Sequence, residues 1–405
     1  MTLPASRPVA AQSVSAPTGR TVHPVFQYPL LKTRYCADFL DSYLRELRHS
    51  CRIYRGLNLA YAVFGWLLPV LHCRYVFVGS MYADIIEHLK NRAALVGNLK
   101  CLRFALRYRS TFAFAKAFEC QLGRLYLKDP LLAGRRAQRL MRHIQALLRR
   151  IDPGYLVVSN DSLFLERFFV VCARELGIRT ICIQHGLFHE ATAFETLDGF
   201  FADYMFVWGP AMARIYETNG YDMRKMRVLG YHSNVPKAGA GAIRKDRICI
   251  LGEALDTHNV RLAVKSKATY ESACTILRES DKRIQIYYKP HPAEKDEAYR
   301  PAGVTLFRGN LKQSMQFFDV FVGTSSSAIL EASLNGKIGI QIYDREYAAD
   351  NFQDMGYAYS LPVEALSDLA GLLRSVDRSY TMQSTSIATS SAVGARFDDL
   401  VATLV

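Results

Sequence analysis

The apolar run Phe317 to Val322 stops at Gly323-Thr324-Ser325-Ser326-Ser327, and a helical pattern begins at once, from Ala328 to Asn335. About thirty residues earlier a second apolar run, Ile284 to Tyr288, stops at Lys289-Pro290-His291-Pro292. Two loops at strand ends, one of them leading a helix, predict a parallel α/β sheet with its ligand site beyond the carboxyl ends of the strands. A helix that starts there offers unpaired backbone N–H groups and a partial positive charge, which suits a phosphate. The serine hydroxyls add donors, and the two prolines hold His291 in a rigid turn where its imidazole adds another.

Outward from these loops, both halves of the chain alternate β-like runs with helical patterns. Strands are predicted at 75–78, 94–97, 155–158, 180–184, 204–208 and 226–229, with helices at 82–91, 163–176 and 211–219 and a long basic helical region before 155. The stretch 233–245 then turns small and polar, with Pro236, Gly239 and Gly241, and reads as a linker. Beyond it come strands at 247–251, 284–288, 304–307, 320–322 and 338–342, and helices at 261–279, 327–335 and 363–375. The expected fold is α/β: a tail over 1–22, one Rossmann-like domain over 23–235 and a second over 246–405, facing each other across a cleft.

With 405 residues, half of them hydrophobic, the chain can bury two cores, since single cores rarely grow beyond roughly 250–300 residues. The first 22 residues lack both an apolar period and the apolar core of a secretory signal, which predicts a disordered tail. Nine scattered cysteines with no Cys-x-x-Cys pair point to a reducing compartment and away from structural zinc. The apolar stretch Leu59 to Leu71 spans thirteen residues, short of the roughly twenty that a bilayer requires. No metal site is predicted. Residues 1–150 hold 24 Lys and Arg against 7 Asp and Glu, leaving the rest of the chain at −3. Basic residues interleaved with apolar ones at 45–55 and 100–109 suit an anionic membrane surface or an acidic acceptor, and equally a solvated helix face over a core stripe.

Candidate site residues follow from the loops. Lys289, His291, Pro292, Thr324, Ser325, Ser326 and Ser327 would surround a phosphate, and Glu331, one turn beyond Ser327, would accept bonds from ribose hydroxyls. The serines equally suit a helix cap, a use compatible with the first. Gly252 and Glu253, after the strand 247–251, are candidates for the donor pocket. In Gln184-His185-Gly186-Leu187-Phe188-His189-Glu190 the glycine allows a sharp turn at a strand end, making His185, His189 and Glu190 candidate proton acceptors. A turn histidine bonded to backbone is the alternative for His185. Ser159-Asn160-Asp161 ends another strand, where a helix-capping role for Asp161 competes with a ligand role.

Together the Gln-His-Gly loop, Trp208-Gly209-Pro210, Leu229-Gly230, the Lys-Pro-His-Pro turn and the serine run resemble bacterial surface-polysaccharide glycosyltransferases of the two-Rossmann GT-B type over residues 150–345. The relatives implied are sialyl- and polysialyltransferases, Kdo transferases and CDP-glycerol glycerophosphotransferases. In the sialyltransferases a His-Pro and a Ser-Ser motif contact CMP, which implies His291, Pro292 and Ser325 to Ser327 here. Their acidic-acidic-Gly motif carries the base; Leu197-Asp198-Gly199 is the nearest match and lacks the first acid, which implies Asp198. The glycerophosphotransferases are similar through the histidine of a His-Gly loop, matching His185.

The resemblance implies metal-independent transfer of an acidic sugar, sialic acid-like or Kdo, from a CMP-sugar donor to a capsule or lipopolysaccharide glycan or a lipid-linked acceptor. The CMP-sugar is substrate, and no cofactor is expected. Such an enzyme would be cytoplasmic and peripheral at the inner membrane. Competing expectations are a CDP-glycerol-type glycerophosphotransferase, a UDP-sugar 2-epimerase-like enzyme of the same build, and a basic nucleic-acid-binding protein. The last lacks any nucleic-acid-recognition motif, and its phosphate loops lie in the near-neutral half.

Overall fold

The computed structural model describes residues 72–79, 82–97, 99–108, 112–114, 130–159, 164–184, 186–187, 202–218, 220–231, 243–253, 260–291, 294, 300–347, 350–376 and 392–404. The tail 1–22, the basic stretch 45–55, the apolar stretch 59–71 and most of the expected linker lie outside them.

Short apolar runs become the strands of the first unit. They are β1 (Tyr75–Val78), β2 (Ala93–Gly97), β3 (Phe112–Phe114), β4 (Tyr155–Val158), β5 (Arg179–Ile183), β6 (Tyr204–Val207) and β7 (Met226–Val228). Between them lie α1 (Ala83–Leu89), α2 (Leu99–Tyr108), α3 (Pro130–Ile151), α4 (Phe164–Glu175) and α5 (Pro210–Thr218). The second unit holds β8 (Arg247–Leu251), α6 (Val260–Ser280), β9 (Gln285–Lys289), β10 (Thr305–Leu306), α7 (Leu311–Phe317), β11 (Val320–Gly323), α8 (Ser327–Leu334), β12 (Ile338–Tyr343), β13 (Tyr359–Pro362) and α9 (Leu369–Ser375). A last helix, α10 (Val393–Ala402), follows.

The strands pair in order β3-β2-β1-β4-β5-β6-β7 and β10-β9-β8-β11-β12-β13, every pair parallel. Both sheets therefore start at an inner strand, run one way, and then resume on its other side. This is the doubly wound Rossmann order, and it opens a crevice at each reversal, between β1 and β4 and between β8 and β11. The α/β, two-unit, GT-B-like architecture expected from the sequence is the one observed. A continuous buried cluster links the units, running from Val158 and Val207 through Trp208 and Tyr231 to Cys249, Leu251, Phe321 and Ile329.

Four expectations need correction. The run from Phe317 is not one strand: α7 ends at Phe317, and Phe318 and Asp319 turn the chain into β11. A capping box between Asn310 and Gln313 starts that helix. The expected helix 363–375 is a 3-10 segment, Val363–Asp368, followed by α9, with Ala365 outside helical geometry. The edge strands β3 and β13 were not anticipated. Finally, α10 does not pack on the second sheet, so the second domain does not run unbroken from 246 to 405. Phe397 is fully buried against Tyr75, Phe77 and Phe206 of the first sheet, at ring distances of 5.6, 6.0 and 5.7 Å. Asp398 takes a hydrogen bond from Tyr75 and pairs with Arg92 at 2.7 Å, while Arg396 Nη2 reaches Val228 O at 3.0 Å. The returning helix joins α1 and α2 in one buried cluster over this face of the first sheet.

Candidate functional site

The site is built at the carboxyl ends of β9, β8 and β11, three adjacent strands. β9 delivers Lys289 and His291, β8 delivers Gly252 and Glu253, and β11 delivers Thr324 to Ser327. The Lys-Pro-His-Pro turn and the serine loop thus flank the same strand end, about one strand spacing (~4.8 Å) to either side of it. The two loops first singled out in the sequence lie together at the reversal point of the second sheet.

What holds the serine loop was not foreseen in full. Glu253 is buried, and its carboxylate crosses the β8/β11 crevice. Its Oε1 accepts from the N–H groups of Thr324 at 3.0 Å, Ser325, and Ser326 at 3.0 Å, and its Oε2 accepts from Ser325 Oγ at 2.8 Å. Below it the fully buried Tyr270 hydroxyl donates to Leu251 O at 3.0 Å and lies 3.2 Å from Thr324 N. Burial, and next the charge of Glu253, push the Tyr270 phenol well above its ordinary range, so it stays a neutral donor. The backbone donors of Thr324 to Ser326, expected to face a phosphate, are engaged by a carboxylate of the chain itself.

The His-Pro turn has its own clasp. Glu294 accepts from the His291 N–H at 3.1 Å, and both of its oxygens lie 2.8 Å from the Tyr288 hydroxyl. Gly252 is required beneath this pair, because a Cβ there would sit 2.5 Å from Glu294 Oε2 and from the Tyr288 oxygen. Pro292 lies outside the described residues.

Helix α8 begins at Ser327, with Ser326 as its cap accepting from Ala328 N at 3.3 Å. It buries Ile329, Leu330, Ala332 and Ser333 and turns Ser327 and Glu331 to the opposite side, as their four-residue spacing predicts. Tyr231, just beyond β7 of the first unit, hydrogen-bonds Glu331, so the carboxyl edges of the two sheets meet at this residue. Burial raises the Glu331 carboxyl pKa, opposed by the Tyr231 hydroxyl and the Lys289 ammonium. Lys289 is buried, and burial lowers its pKa against the pull of Cys249 and Glu331.

On the acceptor side His185, His189, Glu190, Asp198 and Asp161 lie outside the described residues. The frame around the first of them is described. Gln184 is fully buried, and its side chain accepts from Trp208 N and donates to Gly186 O, both at 2.8 Å. Its backbone oxygen accepts from Trp208 Nε1 at 3.0 Å and from the Tyr82 hydroxyl at 3.2 Å. Trp208 in turn meets Tyr231 edge to face at 5.0 Å. A chain of contacts therefore runs from the Gln-His-Gly loop through Trp208 and Tyr231 to Glu331. Sequence reasoning singled out Gln184 and Trp208 as parts of motifs but missed Tyr231 and Glu294; Tyr231 stands beside the strand-end Gly230, the one available signal. Among the described residues no group of three His, Cys, Asp or Glu side chains is placed to hold a metal ion, and no helix is long and apolar enough to cross a membrane.

No protein-family model matches the chain, and no curated protein matches it either. Solved structures do. The UDP-GlcNAc 2-epimerase from Methanocaldococcus jannaschii superposes with a TM-score of 0.53 at 12% identity, covering 82% of this chain and 99% of that one. The S. aureus MnaA–UDP structure gives 0.56 at 11%, covering 81% and 96%. The UDP-GlcNAc 2-epimerase from Neisseria meningitidis bound to UDP-GlcNAc gives 0.52 at 12%, covering 82% and 98%. At such identities the likeness is one of fold: the chain shares with these proteins the GT-B-like build of two Rossmann-like units over most of its length.

Proposed function

We propose that this chain is a nucleotide-sugar enzyme whose donor phosphate lies at the head of β8, β9 and β11. One observation carries the reading: two loops of anion-binding composition, 289–291 and 324–327, flank one strand end at the reversal point of a Rossmann sheet. Glu331, on the side of α8 shared with Ser327, would take the ribose hydroxyls. The fold likeness to structures containing UDP or UDP-GlcNAc supports the same ligand class.

Two finer readings divide the evidence. The solved structures favour a UDP-sugar 2-epimerase-like enzyme, which needs no acceptor. The His-Pro and Ser-Ser motifs favour a transferase that moves an acidic sugar from a CMP donor to a capsule or lipopolysaccharide glycan at the inner face of a membrane. In that case His291 and the serines stabilise the departing phosphate, and a base from His185, Glu190 or Asp198 takes the acceptor proton. The exposed arginines 139, 142, 149 and 150 of α3 support an acidic or membrane-anchored acceptor on the first unit.

A thermal-shift panel of CMP, CDP, UDP and GDP tests the ligand class, since a nucleotide at 100 times its dissociation constant stabilises by about 2.7 kcal/mol. His291→Ala is expected to abolish the shift with the fold retained. No shift with any nucleotide sinks the proposal, and an unfolded variant gives His291 a structural role. Nucleotide release that requires a glycan acceptor then favours transfer, and acceptor-free inversion at the sugar favours epimerisation.

A further inference from the structure

We infer that Glu253 occupies the seat of one phosphate at the head of the second sheet, and thereby selects a nucleoside monophosphate sugar over a nucleoside diphosphate sugar. The inference rests on the nucleotide-sugar reading above and deepens it by counting the phosphates. Three successive backbone N–H groups converging on one oxygen form an anion nest of the kind that holds a phosphate in other folds. Here that oxygen is Glu253 Oε1, with Ser325 Oγ closing on the second oxygen at 2.8 Å. The carboxylate arrives from β8, 71 to 73 residues away in the chain, and fills the crevice where a Rossmann sheet receives its ligand. It is no surface contact, since Glu253 is only 8% exposed.

The second loop repeats the arrangement. Its backbone donor, His291 N–H, is given to Glu294 at 3.1 Å. Each loop of anion-binding composition is therefore clasped by an internal carboxylate. Among the described residues at these strand ends, Glu253, Glu294 and Glu331 stand against one lysine, Lys289, and one histidine, His291. Beside those two side chains, the donors that remain in the serine loop are at the leading turn of α8, with the Ser327 N–H, which has no acceptor within the helix, and the Ser327 hydroxyl. One ionised phosphate fits that inventory. A second would have to enter a nest already holding a negative charge, in a setting where like charges at short range repel strongly.

The experiment is a calorimetric titration of the full chain and of Glu253→Ala and Glu253→Gln with CMP, CDP, UMP and UDP. The native chain is expected to bind the monophosphate of its preferred base at least 10-fold more tightly than the diphosphate. Emptying the nest in Glu253→Ala, or removing its charge in Glu253→Gln, is expected to cut that preference at least 10-fold. Glu253→Gln keeps the side chain's shape and carries the test if Glu253→Ala does not fold. A native chain that prefers the diphosphate overturns the inference whatever the variants do, and so does a preference that the folded variants leave unchanged. If no nucleotide binds the native chain, the nucleotide-sugar reading is what fails. Inorganic phosphate then tests the seat alone: binding gained by Glu253→Ala supports it, and no gain overturns it.

Discussion

Replacing Gln184 by Ala removes both side-chain bonds by which it links Gly186 to Trp208, just beyond β6. The Trp208 N–H loses its acceptor and the Gly186 carbonyl its donor, each now satisfied at 2.8 Å. An orphaned buried donor costs about 1–3 kcal/mol, and truncating a fully buried side chain adds a cavity contribution. A loss of about 2–4 kcal/mol is expected. The chain contains two tryptophans, Trp66 and Trp208, so urea unfolding in a Trp66→Phe background reads the environment of Trp208 directly. Glu in place of Gln keeps the acceptor but sets an oxygen against the Gly186 carbonyl, and is expected to cost a comparable amount. On the function proposed here, turnover falls at least 10-fold in both variants while nucleotide affinity, set by the second sheet, holds. A stability loss under about 0.5 kcal/mol would refute the bracing role. Nucleotide affinity falling in step with turnover would refute the separation of the two sides.

Three further outcomes test the fold. Phe397→Ala, which empties a fully buried place among three aromatic rings of the first sheet, is expected to cost about 3–5 kcal/mol in urea unfolding; a cost below about 1 kcal/mol would contradict the docking of α10. Gly339→Ala sets a Cβ 2.7 Å from the backbone oxygen of Ile329, and pushing α8 off β12 is expected to cost about 1–3 kcal/mol and to weaken nucleotide binding, both read by thermal shift. Burial opposes ionisation of Asp319, but Lys337 and Arg244 outweigh it and hold the carboxyl below its ordinary value. Its stabilisation is therefore present above the unfolded carboxylate pKa and lost as pH falls through the lower folded value. The melting-temperature gap between the native chain and Asp319→Asn is expected to be widest near neutrality and to close toward pH 3; a gap that is constant with pH contradicts the assignment.

Much of this molecule is written in local sequence. β1, β4 and β8 occupy the residues expected of them, because each is a short apolar run bounded by polar or turn residues and buried on both faces. The head of α8 was equally legible, since a helix needs a cap and serine supplies it. Elements with weaker local signals escaped. β13, Tyr359-Ser360-Leu361-Pro362, buries one residue of four and ends in proline, as an edge strand tolerates. α7 runs into the aromatic pair Phe317-Phe318, which blurs its boundary with β11.

The amino-acid sequence alone determined that two doubly wound sheets would form and that a Lys-Pro-His turn and a serine-capped helix start would follow strands of the second, because strand, cap and turn preferences act within a few residues. Only the tertiary structure decided that α10 returns to the first sheet, that Tyr231 bonds Glu331 across the units, and that Glu253 reaches the serine loop. Those contacts join residues from 71 to more than 300 positions apart. Apolar burial and charge pairing select such partners by distance in space, which no local pattern encodes.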